Sequence, residues 1–189
     1  MNVRLATSRD VGAIAALHAA SWREAYRGAL SEAFLAGDVL ADRRAVWTTR
    51  FQSPQPGQFV AVADADGEVV GFACAFAAAD PDWGTLLDNL HVRSDVQRRA
   101  IGVQLMHRVA SWCDEVGSHR ALYLWVLANN LRAQRFYQKL GAVDSGRSTW
   151  VAPDGSTPST LRYSWSDVRD LLLRCENAVR ARTLSQDAS

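Results

Sequence analysis

Two strand–helix units follow one another in the second half of the chain and constrain the fold more than any other feature. The apolar stretch 85–92 ends in a short polar turn, and helical apolar spacing follows over about 98–116. A second, strongly apolar stretch at 121–127 precedes another helical pattern that ends near 140. Apolar spacing that changes in this way from strand to helix predicts an α/β domain.

Patterns on both sides of these units complete the prediction of a single domain. The additional elements are a strand at 2–6, helices over about 9–26 and 31–50, a hairpin of strands at 59–63 and 69–78, weaker strands at 142–150 and 159–165, and a last helix capped by Ser166 or Asp167. We therefore expect an α/β fold of the α+β type over residues 1–166. Its mixed, mostly antiparallel sheet would have about seven strands flanked by helices. A C-terminal helix and a frayed tail would occupy 167–189.

Composition excludes several broad classes of protein. The 189 residues suit one domain, and 48% hydrophobic with 22% charged residues is typical of globular proteins. The 21 basic and 20 acidic side chains give a net charge of +1, so no nucleic-acid partner is expected. No apolar run approaches the ~18–20 residues of a membrane-spanning helix, and no signal peptide is predicted. We expect no membrane partner.

Cysteine and histidine positions predict neither disulfides nor a metal site. Cys74, Cys113 and Cys175 are odd in number, widely spaced and without a CxxC pair, so a reducing cytoplasm is the expected location. The four histidines are scattered, and no HExxH or short Cys/His cluster predicts a bound metal. Each cysteine is expected to be a small buried apolar residue.

The turn and helix start after the 85–92 strand have the features of a phosphate site. A helix N-terminus leaves backbone N–H groups unpaired and carries partial positive charge. Arg98 and Arg99 add fixed charge there, and Gly102 allows close approach of a ligand. The alternative is a solvated helix start with two surface arginines.

A second stretch of the sequence bears on how the first one is interpreted. Ala133, Phe136, Tyr137 and Leu140 fall at helical spacing, which places Tyr137 on or beside the packed face. Together the two stretches resemble the GNAT superfamily of acyl-CoA-dependent N-acetyltransferases. The phosphate motif of that family, Gln/Arg-x-x-Gly-x-Gly/Ala, is occupied by Gln97, Arg98, Arg99, Ala100, Ile101 and Gly102. Its second signature, Asn-x-x-Ala-x-x-Phe/Leu-Tyr-x-x-Leu-Gly, is matched by Asn130, Ala133, Phe136, Tyr137, Leu140 and Gly141.

The resemblance covers about residues 2–165 and implies acetyl-CoA as co-substrate, without a metal. Amides of about 98–103, ending at Val103, would hold the pyrophosphate, and Asn130 would bind the pantetheine region. The edge of the strand at Leu90, His91 and Val92 would pair with the pantetheine arm, one N–H polarising the thioester carbonyl. Ala100 stands where the family usually has glycine, so its methyl group is expected to weaken cofactor binding.

The resemblance also implies direct attack by an amine, with Tyr137 at the family position that protonates the departing thiolate. The alternative for Tyr137 is packing beside the cofactor channel. Strict alternation would place Leu86, Asp88, Leu90 and Val92 on one face of the strand and Leu87, Asn89 and His91 on the other. Asp88 is the first candidate for the general base, unless it serves structurally by binding backbone donors. His91 and water are the other candidates.

The acceptor is expected between the first helices and the strand ends, where Trp22, Tyr26, Trp83 and Trp150 are candidate lining residues. Ordinary packing is the alternative for each of them. The leading function is acetylation of a primary amine of a small molecule or peptide. Alternatives are a non-catalytic acyl-CoA-binding module and an acetyltransferase acting on protein N-termini or aminoacyl-tRNA. The last helix would pack on the domain or on another chain, which allows a homodimer.

Overall fold

A seven-stranded mixed sheet forms the centre of the molecule, as predicted. The structure is a computed structural model that describes residues 1–96, 100–116 and 120–186. Its strands are β1 (Asn2–Leu5), β2 (Gln58–Ala65), β3 (Glu68–Asp80), β4 (Gly84–Val92), β5 (Leu122–Leu127), β6 (Val143–Thr149) and β7 (Ser159–Trp165). Its helices are α1 (Val11–Ala25), α2 (Glu32–Ala36), α3 (Val39–Gln52), α4 (Ile101–Val116), α5 (Leu131–Lys139) and α6 (Val168–Gln186).

The strands lie in the order β1-β2-β3-β4-β5-β7-β6. Every neighbouring pair is antiparallel except β4 and β5, which run parallel. A parallel pair needs a crossover connection, and α4 supplies it here. The two strand–helix units of the sequence therefore lie side by side at the centre of the sheet.

Helices cover both faces of this sheet. On one face α4 and α6 pack over β2, β3 and β5, with Leu105, Val109 and Leu171 fully buried. On the other face α1 and α3 pack over β2 and β3, where Ile14, Trp47 and Phe72 are fully buried. Successive residues of β2 and β3 point to opposite faces of the sheet, so alternate residues of this hairpin pack in the two cores. The packing of both helical layers therefore depends on the register of the hairpin.

The prediction of one helix over 31–50 is wrong, because two helices, α2 and α3, occupy this range. Gly37 separates α2 from α3 with backbone angles of −104° and −85°. A Cβ at this position would lie 3.2 Å from the carbonyl oxygen of Ala33, so glycine accommodates the tight end of α2. The break turns α3 toward the sheet, and Arg43 and Arg50 of α3 reach the site described below.

The C-terminal helix packs against α4 of the same chain. Its residues Val168, Leu171 and Cys175 are fully buried there, so the helix packs on the domain, which is the first of the two predicted alternatives. The helix runs to Gln186, within the range predicted to hold a C-terminal helix and a frayed tail. Among the described residues, no helix is long and apolar enough to cross a membrane.

Candidate active site

The parallel strands β4 and β5 separate soon after they meet. Only Thr85 with Leu122 and Leu86 with Tyr123 are paired, although β4 continues to Val92 and β5 to Leu127. The separation opens the sheet on the carboxyl side of both strands, where α/β proteins commonly bind ligands. Nearly every predicted site residue that the structure describes lies around this opening.

A β-bulge at Asp88 changes the alternation of β4, so the predicted division of its side chains is wrong. Cys74 of β3 pairs with Asn89 and Ala75 pairs with Leu87, which leaves Asp88 as the extra residue. Leu87, Leu90 and Val92 consequently pack on the α4 side, whereas Asn89 and His91 contact α1 and α3. A bulge re-aims side chains in this way because two residues oppose one on the partner strand.

The same bulge shifts the backbone amides. Thr85 N–H donates to the Ala121 carbonyl on the β5 side, whereas Arg93 N–H donates to Val70 on the β3 side. By alternation back from Arg93, the N–H groups of Leu90 and Val92 are directed toward the β5 side. The sheet is open on this side, where β5 diverges from β4. The resemblance requires these amides to point into this opening, toward the pantetheine arm.

One cleft of about 620 Å³ lies beside this edge of β4. All nine of the predicted cofactor residues that the structure describes line it: Leu90, His91, Val92, Ala100, Ile101, Gly102, Val103, Asn130 and Tyr137. The predicted Gln97, Arg98 and Arg99 lie outside the described residues. Asn130 also caps α5, its side-chain oxygen accepting from the Ala133 N–H at 3.1 Å.

Gly102 fits the predicted close approach at the start of α4. A Cβ there would lie 3.3 Å from the ring of Phe136 and 3.9 Å from Val92, so a side chain would fill the floor of the cleft. Together with the amides directed at the opening, this leaves room for the narrow arm of a coenzyme A thioester. The shape and donors of the cleft thus fit the cofactor that the resemblance implies.

Ala100 precedes α4 and has a left-handed backbone conformation with φ of 62°. Ala100 is therefore not part of the helix. An L-residue with a Cβ is disfavoured in this region by roughly 1–2 kcal/mol, whereas glycine is not. The conformation explains why glycine suits this position of the motif.

We expect Ala100→Gly to stabilise the protein by about 1 kcal/mol, because glycine adopts the observed φ without strain. Removing the methyl group also widens the approach to the cleft, so coenzyme A is expected to bind more tightly. Thermal unfolding and calorimetric titration with coenzyme A measure the two effects separately. Unchanged coenzyme A affinity would disprove the proposed narrowing, even with a gain in stability.

A second cleft of about 650 Å³ lies on the other side of the opening. Its lining comes from α1 and the residue after it, from α3, β4, β5, β6 and β7, and from the segment between β6 and β7. The lining residues include Trp22, Tyr26, Arg43, Arg50, Leu86, Asp88, Asn89, Trp125, Trp150 and Thr160. The predicted acceptor residues Trp22 and Tyr26 stack at 4.9 Å, and Trp150 meets both edge-on.

The tryptophans of this cleft differ from the predicted ones. Trp83 is not among the lining residues of this cleft; instead, the Arg162 guanidinium lies 3.5 Å above its ring. Trp125, which is not one of the predicted acceptor residues, is 38% exposed and lines the cleft. Alternation along β5 accounts for this, because Leu124 and Val126 occupy the buried face and turn Trp125 outward.

Asp88 pairs with an arginine that sequence reasoning missed. Arg50 donates to the Asp88 carboxylate at 2.7 Å and to the Asn89 side-chain oxygen at 2.8 Å. The same guanidinium lies over the rings of Trp47 and Phe76. Asp88 therefore binds a side chain of α3, not the backbone donors suggested as its structural role, and the pair fixes the bulge against the helical layer.

His91 is the weaker candidate for a base, because it lines the first cleft and is not among the lining residues of the second, which Asp88 lines. Burial, together with the nearby Arg43, lowers its pKa to about 4, so its imidazole is neutral and only weakly basic at neutral pH. Its ring lies 4.7 Å from that of His18. His18 is fully buried, accepts from the Trp47 indole at 3.0 Å, and has a pKa well below the usual range because of burial.

Two tyrosines lie on the two sides of the opening. Tyr137 lines the first cleft, is 7% exposed and packs against Trp165 and Phe136. Burial raises its pKa, and the neighbouring Tyr26 raises it further, so the phenol stays protonated at neutral pH. Tyr26 lines the second cleft, and burial raises its pKa to about 12.

Comparison with known proteins identifies the family of this chain. Residues 14–142 match the acetyltransferase (GNAT) family. A probable N-acetyltransferase of Mycobacterium tuberculosis is 28% identical over 171 residues, which span 86% of this chain and 92% of that protein. An uncharacterized N-acetyltransferase of the same species is 31% identical over 138 residues, spanning 73% of this chain and 76% of that protein.

Solved structures show the same fold. A GCN5-related N-acetyltransferase from Rhodopseudomonas palustris aligns with a TM-score of 0.69 at 24% identity, covering 87% of this chain and 94% of that one. The PaiA N-acetyltransferase from Thermoplasma acidophilum, solved in complex with coenzyme A, aligns with a TM-score of 0.65 at 20% identity, covering 87% and 98%. The chain belongs to the GNAT family of acetyl-CoA-dependent N-acetyltransferases.

Proposed function

We propose that the protein transfers the acetyl group of acetyl-CoA directly to a primary amine of a small molecule or peptide. The observation that carries this proposal is the meeting of two clefts on one strand. Leu86 to Asn89 line the acceptor cleft, and Leu90 to Val92 line the cofactor cleft, so an amine and a thioester reach neighbouring residues of β4. Such positioning removes much of the entropic cost of a bimolecular reaction.

In this proposal, the first cleft holds the coenzyme. Main-chain amides at the start of α4 bind the pyrophosphate, and the Leu90 and Val92 edge orients the pantetheine arm. Asn130 contacts that arm at the mouth of the cleft. The coenzyme supplies an activated acetyl thioester, and an amide of β4 donates to its carbonyl oxygen where negative charge develops.

Proton transfer completes the proposed reaction. The amine nitrogen forms a C–N bond to the acetyl carbon as the C–S bond breaks, and coenzyme A leaves as a thiolate. Tyr137 donates the proton that this thiolate takes up. Asp88, either directly or through a water molecule, accepts the proton that the attacking nitrogen loses; His91 is disfavoured because it lines the cofactor cleft and is not among the lining residues of the acceptor cleft. We also infer a cytoplasmic location, which the three buried free cysteines support.

Turnover with a panel of amines tests this function. Purified protein and acetyl-CoA are incubated with primary amines, and both thiol release and acetylated product are measured, the product by mass spectrometry. We expect thiol release that depends on the amine and equals the acetylated product in amount. Coenzyme binding without an acetylated product for any small amine or peptide would contradict the proposal.

A further inference from the structure

Among the described residues, the charged side chains that line the acceptor cleft are two guanidiniums and one carboxylate. Arg43 and Arg50 line it together with Asp88, whereas Asp42, the ion-pair partner of Arg43, is not among its lining residues. Each guanidinium nonetheless has a carboxylate partner, Asp42 for Arg43 and Asp88 for Arg50. The acceptor class therefore depends on which guanidinium donors these partners leave available.

Arg43 and Arg50 are not equivalent in this lining. Arg50 is committed to the β4 bulge, because its two terminal nitrogens donate to Asn89 and Asp88. Arg43 donates to Asp42 through Nε and Nη2 only, both to the same carboxylate oxygen. Its Nη1 has no acceptor among the described residues. Arg43 thus has a donor available for an acceptor molecule in the cleft.

The position of Arg43 is fixed before any ligand binds. Its side chain is 10% exposed, and its guanidinium lies 4.0 Å above the ring of Trp22. A stacked, buried guanidinium loses little further freedom when it binds a carboxylate. The indole N–H of Trp22 is itself buried with no hydrogen-bond partner in the part of the chain that the structure describes, so a second unused donor lies beside Arg43.

Aromatic rings form the apolar part of the same cleft. Trp22 and Tyr26 stack, Trp150 meets both edge-on, and Trp125 contributes from β5. Such rings bind flat apolar groups by stacking and edge contacts. The volume of about 650 Å³ is in the range of small-molecule sites.

We propose that the acceptor is an α-amino acid with an aromatic side chain. Arg43 binds its carboxylate, the aromatic rings of the cleft hold its side chain, and its amino group lies toward Asp88 and the thioester. A peptide N-terminus lacks a carboxylate next to its amine, and a polyamine adds positive charge, so neither uses Arg43. This assignment rests on the proposed acetyl transfer and names its acceptor class.

Matched substrates test the assignment in the wild-type protein. L-tryptophan is compared with L-tryptophanamide, which has the same ring without the negative charge, and with tryptamine and spermidine. The amide has a less basic amine and therefore more free base at neutral pH, so amine reactivity alone favours the amide. We expect kcat/KM for L-tryptophan to exceed that for each of the other three by about tenfold or more.

Variants of neighbouring arginines assign the effect to Arg43. Arg43→Gln is expected to lower the tryptophan-to-tryptophanamide ratio of kcat/KM about tenfold, with Arg43→Lys between the two. Arg44→Gln removes the same charge one residue away on the exposed face of α3 and should preserve the ratio. Coenzyme A affinity, measured by calorimetry, reports whether the variants are folded, because neither residue lines the cofactor cleft.

The outcomes distinguish a failure of this acceptor assignment from a failure of the proposed acetyl transfer on which it rests. Acetylation of tryptamine, tryptophanamide or spermidine as fast as tryptophan would overturn the aromatic amino acid acceptor while leaving acetyl transfer intact. A carboxylate preference that persists in Arg43→Gln would overturn the role of Arg43. The absence of an acetylated product from every amine would instead contradict the proposed function itself.

Discussion

Tyr137→Phe is expected to lower kcat by about 10²-fold or more while leaving coenzyme A affinity nearly unchanged. The variant keeps the ring that packs against Trp165 and removes only the proton donor. Without a donor, coenzyme A must leave as an unprotonated thiolate. Single-turnover rates and calorimetric titration with coenzyme A measure the two properties independently.

The matched control for Tyr137→Phe is Tyr163→Phe. Tyr163 of β7 is 2% exposed, and its hydroxyl accepts from Gln138, which follows Tyr137 in α5. Tyr163 does not line the cofactor cleft. We expect this control to cost some stability and little kcat. Because burial raises the pKa of Tyr137 above its usual 10.0, no loss of activity from its ionisation is expected below pH 10. Unchanged turnover in Tyr137→Phe would assign this residue to packing alone.

Asp88→Asn is expected to lower kcat at neutral pH by about 10²-fold, because the attacking ammonium loses its proton acceptor. The residual rate should then increase about tenfold with each unit by which the pH is raised, up to the pKa of the acceptor amine, since only free amine reacts. A pH–rate profile of wild type and variant measures both effects. A profile of the same shape in both proteins would exclude Asp88 as the base.

His91→Gln and Arg50→Lys complete this comparison. His91 has a pKa of about 4, so its replacement is expected to leave the shape of the profile near neutrality unchanged. Arg50→Lys keeps a positive charge near Asp88 but loses the fork that also reaches Asn89. We expect it to raise KM for the acceptor more than it lowers kcat. A lower kcat in His91→Gln, with the same tenfold rise per pH unit that is expected of Asp88→Asn, would transfer the base to that residue.

Local signals in the sequence predicted much of the fold and of the cofactor cleft. The cap at Asn130, the glycine at 102 and the apolar spacing of α4 and α5 act within a few residues, so each is visible in the printed order. The two strand–helix units then define the parallel pair and the opening beside it. These same residues carry the family resemblance.

The acceptor cleft was less predictable because its contacts connect distant parts of the chain. Arg50 meets Asp88 across 38 positions, and no local pattern indicates that pair. The bulge at Asp88 inserts one residue into a regular alternation, which reversed the predicted faces beyond it. In the sequence, Arg43 is one of several charged residues in a helical pattern, and nothing local indicates that it lines a cleft. Its position depends on the division of this pattern into α2 and α3 at Gly37.

A crystal structure of the protein with acetyl-CoA bound tests the central claim most directly, namely that the two clefts meet at the β4 bulge. We expect the acetyl group between Asp88 and Leu90, its carbonyl oxygen accepting from a β4 amide and its sulfur within hydrogen-bond reach of the Tyr137 hydroxyl. An acetyl group bound away from Asp88, with Tyr137 out of reach of the sulfur, would contradict this account.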